Sequence, residues 1–306
     1  MKKLAILIWM YHNDLAGEFF DLLYPLQDLV DIHLSFCQDN DNLKSLSQFN
    51  NLSNIKSITY YPNIGADLYS FINDLSLIQN EYFIKLHTKK SNWGNNGRCN
   101  WRSMLLDSLI ANKNTIQNNI KYIAEQNLGS LGCGSLIYQK TESIHKDKIR
   151  QILQICNLHT NAYRFVGGNM FIGDSALYQQ HIIPYKKELC ELLSLEKGKV
   201  DEYRGGTYCH SMERVLGYIG CLKGLEFCPL DTIKIKLQNN DIINLRIMYN
   251  NELYCLEQPN IYGKVIDFNN NVFTISWYSN KEKSISKYIQ IDHNLYINQL
   301  YLHSGV

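Results

Sequence analysis

Tyr82-Phe83-Ile84-Lys85-Leu86-His87-Thr88-Lys89-Lys90-Ser91 begins as a short apolar strand and ends as a cationic loop, which continues through Trp93, Gly94, Gly97 and Arg98. In open α/β sheets, ligands gather at the carboxyl ends of the strands, so a strand that runs straight into lysines and glycines predicts the functional edge of such a sheet. Upstream, further β-type runs at Leu4 to Tyr11, Val30 to Cys37 and Ile55 to Tyr61 alternate with helical stripes. Leu15, Phe19, Leu22, Leu23 and Leu26 make one stripe, and Leu68, Phe71, Leu75 and Ile78 make another. Strands alternating with helical segments predict parallel strands with crossover helices.

The alternation continues downstream. The sequence predicts a helix from Asn100 to about Glu125, a Gly-rich strand from Leu128 to Tyr138 and a helix over Ile144 to Cys156. A strand from Arg164 to Ile172, a helix from Ser175 to Leu195 and a helix from Thr207 to Leu222 follow. After Pro229 the texture changes to short β-type runs between Asn-rich turns, at 233–237, 242–248, 263–268, 272–278 and 285–291. The expected organisation is an α/β domain over residues 1–229 and a β-rich appendage over 230–306.

The chain has 306 residues, 45% of them hydrophobic, enough for a large core. Thirty basic residues balance 29 acidic ones, so bulk charge calls for neither nucleic acid nor a strongly anionic surface. Nine scattered cysteines with no Cys-x-x-Cys spacing point to buried thiols in a reducing compartment. The apolar run after Lys2-Lys3 lacks a small-residue cleavage site and reads as a first strand. With no apolar run near the roughly 20 residues of a membrane span, the expectation is a cytoplasmic protein, any membrane contact being peripheral, at the inner face of the cytoplasmic membrane.

Several clusters carry candidate chemistry. Lys85, His87, Lys89 and Lys90 suit a diphosphate, because cations stabilise charge that builds on a leaving phosphate; the plainer alternative is a solvated basic turn. In Tyr61-Pro62-Asn63-Ile64-Gly65-Ala66-Asp67, Asn63 and Gly65 suit a tight turn with positive φ, and Asp67 suits a helix N-cap or a sugar hydroxyl. Trp101 reads as a core anchor, while Arg102 suits a phosphate or a structural carboxylate. Gly167-Gly168-Asn169, read inside a strand, suggests the close approach of a ligand or a bulge. In the helix near 212, Met212, Val215, Leu216 and Ile219 form the buried stripe and leave His210, Glu213, Arg214 and Gly217 on the opposite face. A carboxylate beside a histidine and an arginine is suited to general-base work, or is a surface stripe. Asp39-x-Asp41 has the form of a metal-binding acidic string but follows the second strand, and is read as coincidence or a nucleoside contact.

Asn63-Ile64-Gly65-Ala66-Asp67, Lys85-Leu86-His87-Thr88-Lys89-Lys90-Ser91, Trp101-Arg102 and Gly167-Gly168-Asn169-Met170-Phe171, in this order, resemble the rhamnan synthesis protein F family of bacterial polysaccharide glycosyltransferases. The resemblance covers roughly residues 55–220. It implies a glycosyltransferase-A-like Rossmann sheet with flanking helices that acts in capsule, O-antigen or cell-wall synthesis. Glu213-Arg214 resembles the acidic-helix element that follows the Gly-Gly strand in related transferases.

The expected reaction is transfer of a sugar from a nucleotide-diphosphate or similar donor to a lipid-linked or oligosaccharide acceptor. Asn63, Gly65, Asp67, Lys85, His87, Lys89, Lys90 and Arg102 are assigned to the donor, and Gly167, Gly168 and Asn169 to the acceptor. Glu213 is the expected base, with His210 and Arg214 beside it and Asp201 and Glu202 as reserves. No nucleic-acid partner and no cofactor beyond the donor are expected; a divalent metal is compatible with such a site but is not predicted. The rival readings are a sugar-phosphate transferase using the same basic loop, and a non-catalytic glycan-binding protein using the Tyr-rich tail.

Overall fold

The computed structural model describes residues 2–40, 43–88, 90, 101–140, 144–159, 163–197 and 206–229, and the strand residues 242–249, 252–254, 262–269, 272–278, 285–290 and 297–303. Met1–Ser91 and Asn100–Cys228 belong to one compact unit, and Pro229–Val306 fall in a second.

The first unit is built on a seven-stranded sheet. Its strands are β1 (Leu4–Met10), β2 (Val30–Cys37), β3 (Ile55–Tyr61), β4 (Tyr82–His87), β5 (Ser130–Gly132), β8 (Phe171–Asp174) and β9 (Leu225–Phe227). They lie in the order β3-β2-β1-β4-β8-β5-β9. β1 to β4 are parallel, with Leu4 opposite both Val30 and Tyr82. β8 runs antiparallel to β4 and β5, and β9 is parallel to β5. From β1 the chain moves outward to β2 and β3, then returns to place β4 on the other side of β1. The carboxyl ends of β1 and β4 therefore border the switch point where such sheets bind ligands. Every residue of β1 and β2 is buried, as expected for parallel strands covered on both faces.

Nine helices are described: α1 (Ala16–Leu23), α2 (Leu43–Gln48), α3 (Ala66–Asp74), α4 (Trp101–Ile110), α5 (Lys113–Glu125), α6 (Lys146–Ile155), α7 (Ser175–Ile182), α8 (Lys186–Leu193) and α9 (Tyr208–Cys221). Of the two predicted stripes, Phe19, Leu23 and Leu26 are buried on the first and Leu68, Phe71, Leu75 and Ile78 on the second. Below the carboxyl end of β4, Phe71, Phe83, Phe171 and Tyr178 pack at ring separations of 5.1–6.2 Å and join α3, β4, β8 and α7. The Tyr178 hydroxyl donates to the Leu216 carbonyl at 2.9 Å and brings α9 into the same core.

Four predicted elements divide. The helix expected over 100–125 is two, because Asn112 caps α5 by accepting the Thr115 amide at 2.9 Å. The helix expected over 175–195 breaks at Ile183-Pro184-Tyr185, where proline lacks the amide a continuing helix requires. The strand expected over 128–138 becomes β5 and β6 (Ile137–Lys140), separated by a 3-10 turn at Gly134–Leu136. The strand expected over 164–172 becomes β7 (Tyr163–Val166) and β8. β6 and β7 pair antiparallel as a separate ribbon, so a continuous strand would have to belong to two sheets.

The second unit contains β10 (Ile242–Tyr249), β11 (Glu252–Tyr254), β12 (Tyr262–Asn269), β13 (Val272–Tyr278), β14 (Ile285–Gln290) and β15 (Ile297–His303). They form an antiparallel sheet ordered β11-β10-β12-β13-β14, with β15 also paired to β10. The run expected at 233–237 lies outside the described residues, and β11 and β15 had no counterpart in the sequence reading.

Candidate functional site

Lys85 is the fourth residue of β4, and its ammonium has a side-chain exposure of only 2%. A buried ammonium needs compensating partners. Lys85 Nζ forms an ion pair with Asp67 on α3 and donates to the Asn169 carbonyl at 3.0 Å. Asn169 Nδ2 donates to the same Asp67 oxygen at 2.9 Å. Burial alone would push the Asp67 carboxyl up, but the Lys85 ammonium and the His87 ring outweigh it and hold the group well below the usual carboxylate range.

His87 ends β4, and its Nε2 donates to the Gly168 carbonyl at 2.8 Å. The Gly168 amide in turn donates to Glu213 Oε1 on α9 at 2.9 Å. Residues 167–169 are therefore a turn gripped from three sides, by Lys85 and Asp67, by His87, and by Glu213. The Asn169 amide closes the turn on the Val166 carbonyl at 3.1 Å, with φ of 84° at Gly168 and 56° at Asn169. Both values lie in the left-handed region, which glycine and asparagine tolerate best.

The face of α9 that carries Glu213 is enclosed. Arg214 and Gly217 are buried along with Met212, Val215, Leu216 and Ile219, so this is no surface stripe. A β-carbon on Gly217 would lie 2.3 Å from the Arg164 carbonyl oxygen and 2.5 Å from the Phe165 Cα, because α9 packs directly on β7. Arg214 stands over the Phe165 ring at 4.7 Å, with Nη1 3.7 Å from Glu213 Oε2 and donating to the His210 carbonyl at 2.6 Å. His210 Nδ1 is 2.7 Å from Thr207 Oγ1, and the His210 ring stacks on buried His145 at 5.5 Å.

At the neighbouring strand ends, Thr88 Oγ1 accepts the Tyr11 and His12 amides at 2.9 and 2.8 Å and ties β4 to the chain leaving β1. The Asn63 amide donates to Asp39 at 3.4 Å, and Asn63 Nδ2 donates to the Tyr11 hydroxyl at 3.4 Å. Positive φ falls on Gly65 and Ala66, and Gly65 is the N-cap of α3. Asp67 accordingly sits inside the first turn and directs its carboxylate at Lys85 and Asn169 instead of capping.

The structure thus brings Asp67, Lys85, His87, Gly168, Asn169 and Glu213 together. Three expected phosphate ligands pair with carboxylates of the protein itself. The Lys85 ammonium is turned into the interior toward Asp67, and Arg102 makes a two-point pair with Glu18 at 2.9 Å for both contacts. Lys90 pairs with Asp14 at 2.6 Å at the surface, while Lys89, Asp41, Asp201 and Glu202 lie outside the described residues. Two contributors carry no separate signal in the sequence: Glu196, which receives two amides at the start of α9, and Thr88, which ties β4 to the chain leaving β1. Among the described residues, no three His, Cys, Asp or Glu side chains assemble as a metal-ligand set. Seven cysteines among them are free thiols, and no helix among them is long and apolar enough to cross a membrane.

No protein-family model matches the chain, and no curated protein does. Among solved structures, S. aureus TarS 1–349 aligns with a TM-score of 0.38 and 12% identity, over 72% of this chain and 56% of that one. S. aureus TarS 1–349 in complex with UDP aligns with a TM-score of 0.35 and 15% identity, over 63% and 52%. The chain spans about half the length of each of these solved structures.

Proposed function

We propose that this chain is a glycosyltransferase that moves a sugar from a nucleotide-activated or similarly phosphorylated donor to a hydroxyl of a growing bacterial surface polysaccharide. The observation that carries this reading is that one turn, Gly167-Gly168-Asn169, links two carboxylates with different surroundings beside the carboxyl end of a parallel strand. Asp67 is held ionised by Lys85, and Glu213 accepts the Gly168 backbone amide beside Arg214.

In this reaction Asp67 orients a hydroxyl of the donor sugar, and Lys85 acts through it by keeping it charged. Glu213 removes the acceptor proton as the acceptor oxygen bonds to the anomeric carbon. The bond from that carbon to the phosphate oxygen breaks, and the diphosphate leaves with the electron pair. His87, Lys89 and Lys90 offset its charge, with Asn63 and Gly65 shaping the adjoining loop and Gly167, Gly168 and Asn169 facing the acceptor. His210 supports proton transfer, and Arg214, 3.7 Å from Glu213, pairs with the carboxylate or binds phosphate.

Thermal unfolding against a panel of nucleotides, nucleotide sugars and phosphoribosyl pyrophosphate tests the donor class. A ligand at a hundred times its Kd stabilises the native state by about 2.7 kcal/mol, which a melting shift detects. At least one nucleoside diphosphate or nucleotide sugar is expected to stabilise the chain. Silence from every member of the panel would overturn the reading, and a product containing a phosphodiester would replace sugar transfer with sugar-phosphate transfer.

A further inference from the structure

We infer that Glu196 is a positioning residue that fixes the start of the helix bearing Glu213 against the start of the helix bearing Asp67. The inference rests on the roles proposed above for those two carboxylates. Glu196 lies just beyond α8. Its backbone carbonyl accepts the Gly65 amide at 2.8 Å, and Ile64 forms an antiparallel bridge with Lys197. The contact is close: a β-carbon on Gly65 would lie 2.7 Å from Leu193 Cβ, so the loop rests on the end of α8.

The Glu196 side chain turns the other way. One carboxylate oxygen accepts the Tyr208 amide and the other accepts the Cys209 amide at 2.9 Å. Thr207 Oγ1 takes the next amide, His210, at 3.1 Å. The opening amides of a helix have no acceptor within it, and here the first three are all supplied from outside. An acidic group also suits the positive end of the helix dipole.

One residue therefore holds the start of α3, two positions before Asp67, and the start of α9, five positions before Glu213. At the far side of the site the turn at 167–169 links the same two carboxylates. Glu196 closes the frame, so their separation is fixed from both ends. Positional control of this kind matters because a displacement of about 1 Å in a reacting group costs on the order of a hundredfold in rate.

An ordinary helix cap would stabilise α9 and nothing more, which gives the test its contrast. Amide hydrogen exchange is compared in the full-length wild type, Glu196→Ala and Glu196→Gln, over residues 63–68 and 206–213. Positioning predicts that Glu196→Ala speeds exchange about five- to tenfold in both segments, because the carbonyl under Gly65 loses its anchor along with the helix. Glu196→Gln, which keeps one acceptor oxygen, restores part of the protection and serves as the comparison if the alanine variant does not fold. Faster exchange in 206–213 alone, or in neither segment, overturns the inference. With a nucleotide sugar that the wild type turns over, Glu196→Ala lowers kcat at least about tenfold at nearly unchanged donor KM. If the wild type turns over none of the nucleotide sugars in the panel, the proposed function fails, while the exchange comparison still decides whether Glu196 couples the two elements.

Discussion

A lysine in the middle of a buried strand is costly unless its charge is met, and Lys85 shows where β4 stops being only core. Its partner Asp67 has a folded-state carboxyl held below its unfolded value of about 3.9, so the pair contributes stability that is full above that value and is lost as pH falls through the lowered folded one. Asp67→Asn leaves the Lys85 ammonium buried without its counter-charge and is expected to cost about 3–5 kcal/mol at pH 7. Urea unfolding of wild type and variant across pH checks this: the gap should be constant from about pH 7 to 5 and close below about pH 4. A gap that widens on acidification would mean that Asp67 is not the ionised member of the pair. Glu213 calls for a different measurement, since its proposed role is chemical. Glu213→Gln preserves size and can still accept the Gly168 amide, so the variant should fold and bind donor. Its sugar transfer should be at least about a hundredfold slower, and near-wild-type turnover would make Glu213 structural and move the search for the base to Asp67, Asp201 and Glu202.

At the scale of elements, α9 is where sequence periodicity succeeds and then runs out. The 3.6-residue period places Met212, Val215, Leu216 and Ile219 on a buried stripe, and all four are buried. Periodicity describes one interface at a time, and here the ribbon of β6 and β7 covers the second face and buries Arg214 and Gly217 as well. Gly217 carried the signal, because glycine in an exposed helix has no advantage, whereas on β7 only glycine fits. Gly217→Ala should overpack this contact and destabilise the fold by about 1–3 kcal/mol by chemical denaturation, although alanine is the better helix former. An unchanged or raised stability would show that α9 can back away from β7 without loss. The bounds of β2, β3 and β4 were legible because each is a compact β-type run between polar breaks. The break at 167–169 was not, since apolar residues flank it on both sides and only the positive φ values of Gly168 and Asn169 separate β7 from β8. Glu196 was invisible for another reason: its contacts are backbone groups distant in sequence, which leave no local pattern of residue types.

At the scale of the whole chain, the question is whether residues after 229 are needed for the site. The seven-stranded sheet reaches its last strand at β9, and the Cys228 amide closes onto the Gly132 carbonyl at 2.9 Å just before Pro229. Every strand of that sheet lies upstream of this point. Among the described residues, the strands from 242 to 303 pair only with one another. The side chains proposed to act, from Asn63 to Arg214, also precede Pro229. A chain whose hydrogen-bonded sheets divide this cleanly is expected to be cut between them before it is cut within them, because cleavage requires local unfolding and a paired strand resists it. Lys234 and Lys236 offer trypsin sites in that interval. Limited trypsin digestion should therefore release an N-terminal fragment ending at one of these lysines before it cuts any strand of the first sheet. That fragment should retain the melting shift given by whichever nucleotide stabilises the intact chain. Resistance at Lys234 and Lys236 under conditions that digest the first unit would make the β-rich region an integral layer of one domain. Release of a folded fragment that no longer responds to the nucleotide would instead mean that the residues after 229 complete the donor site.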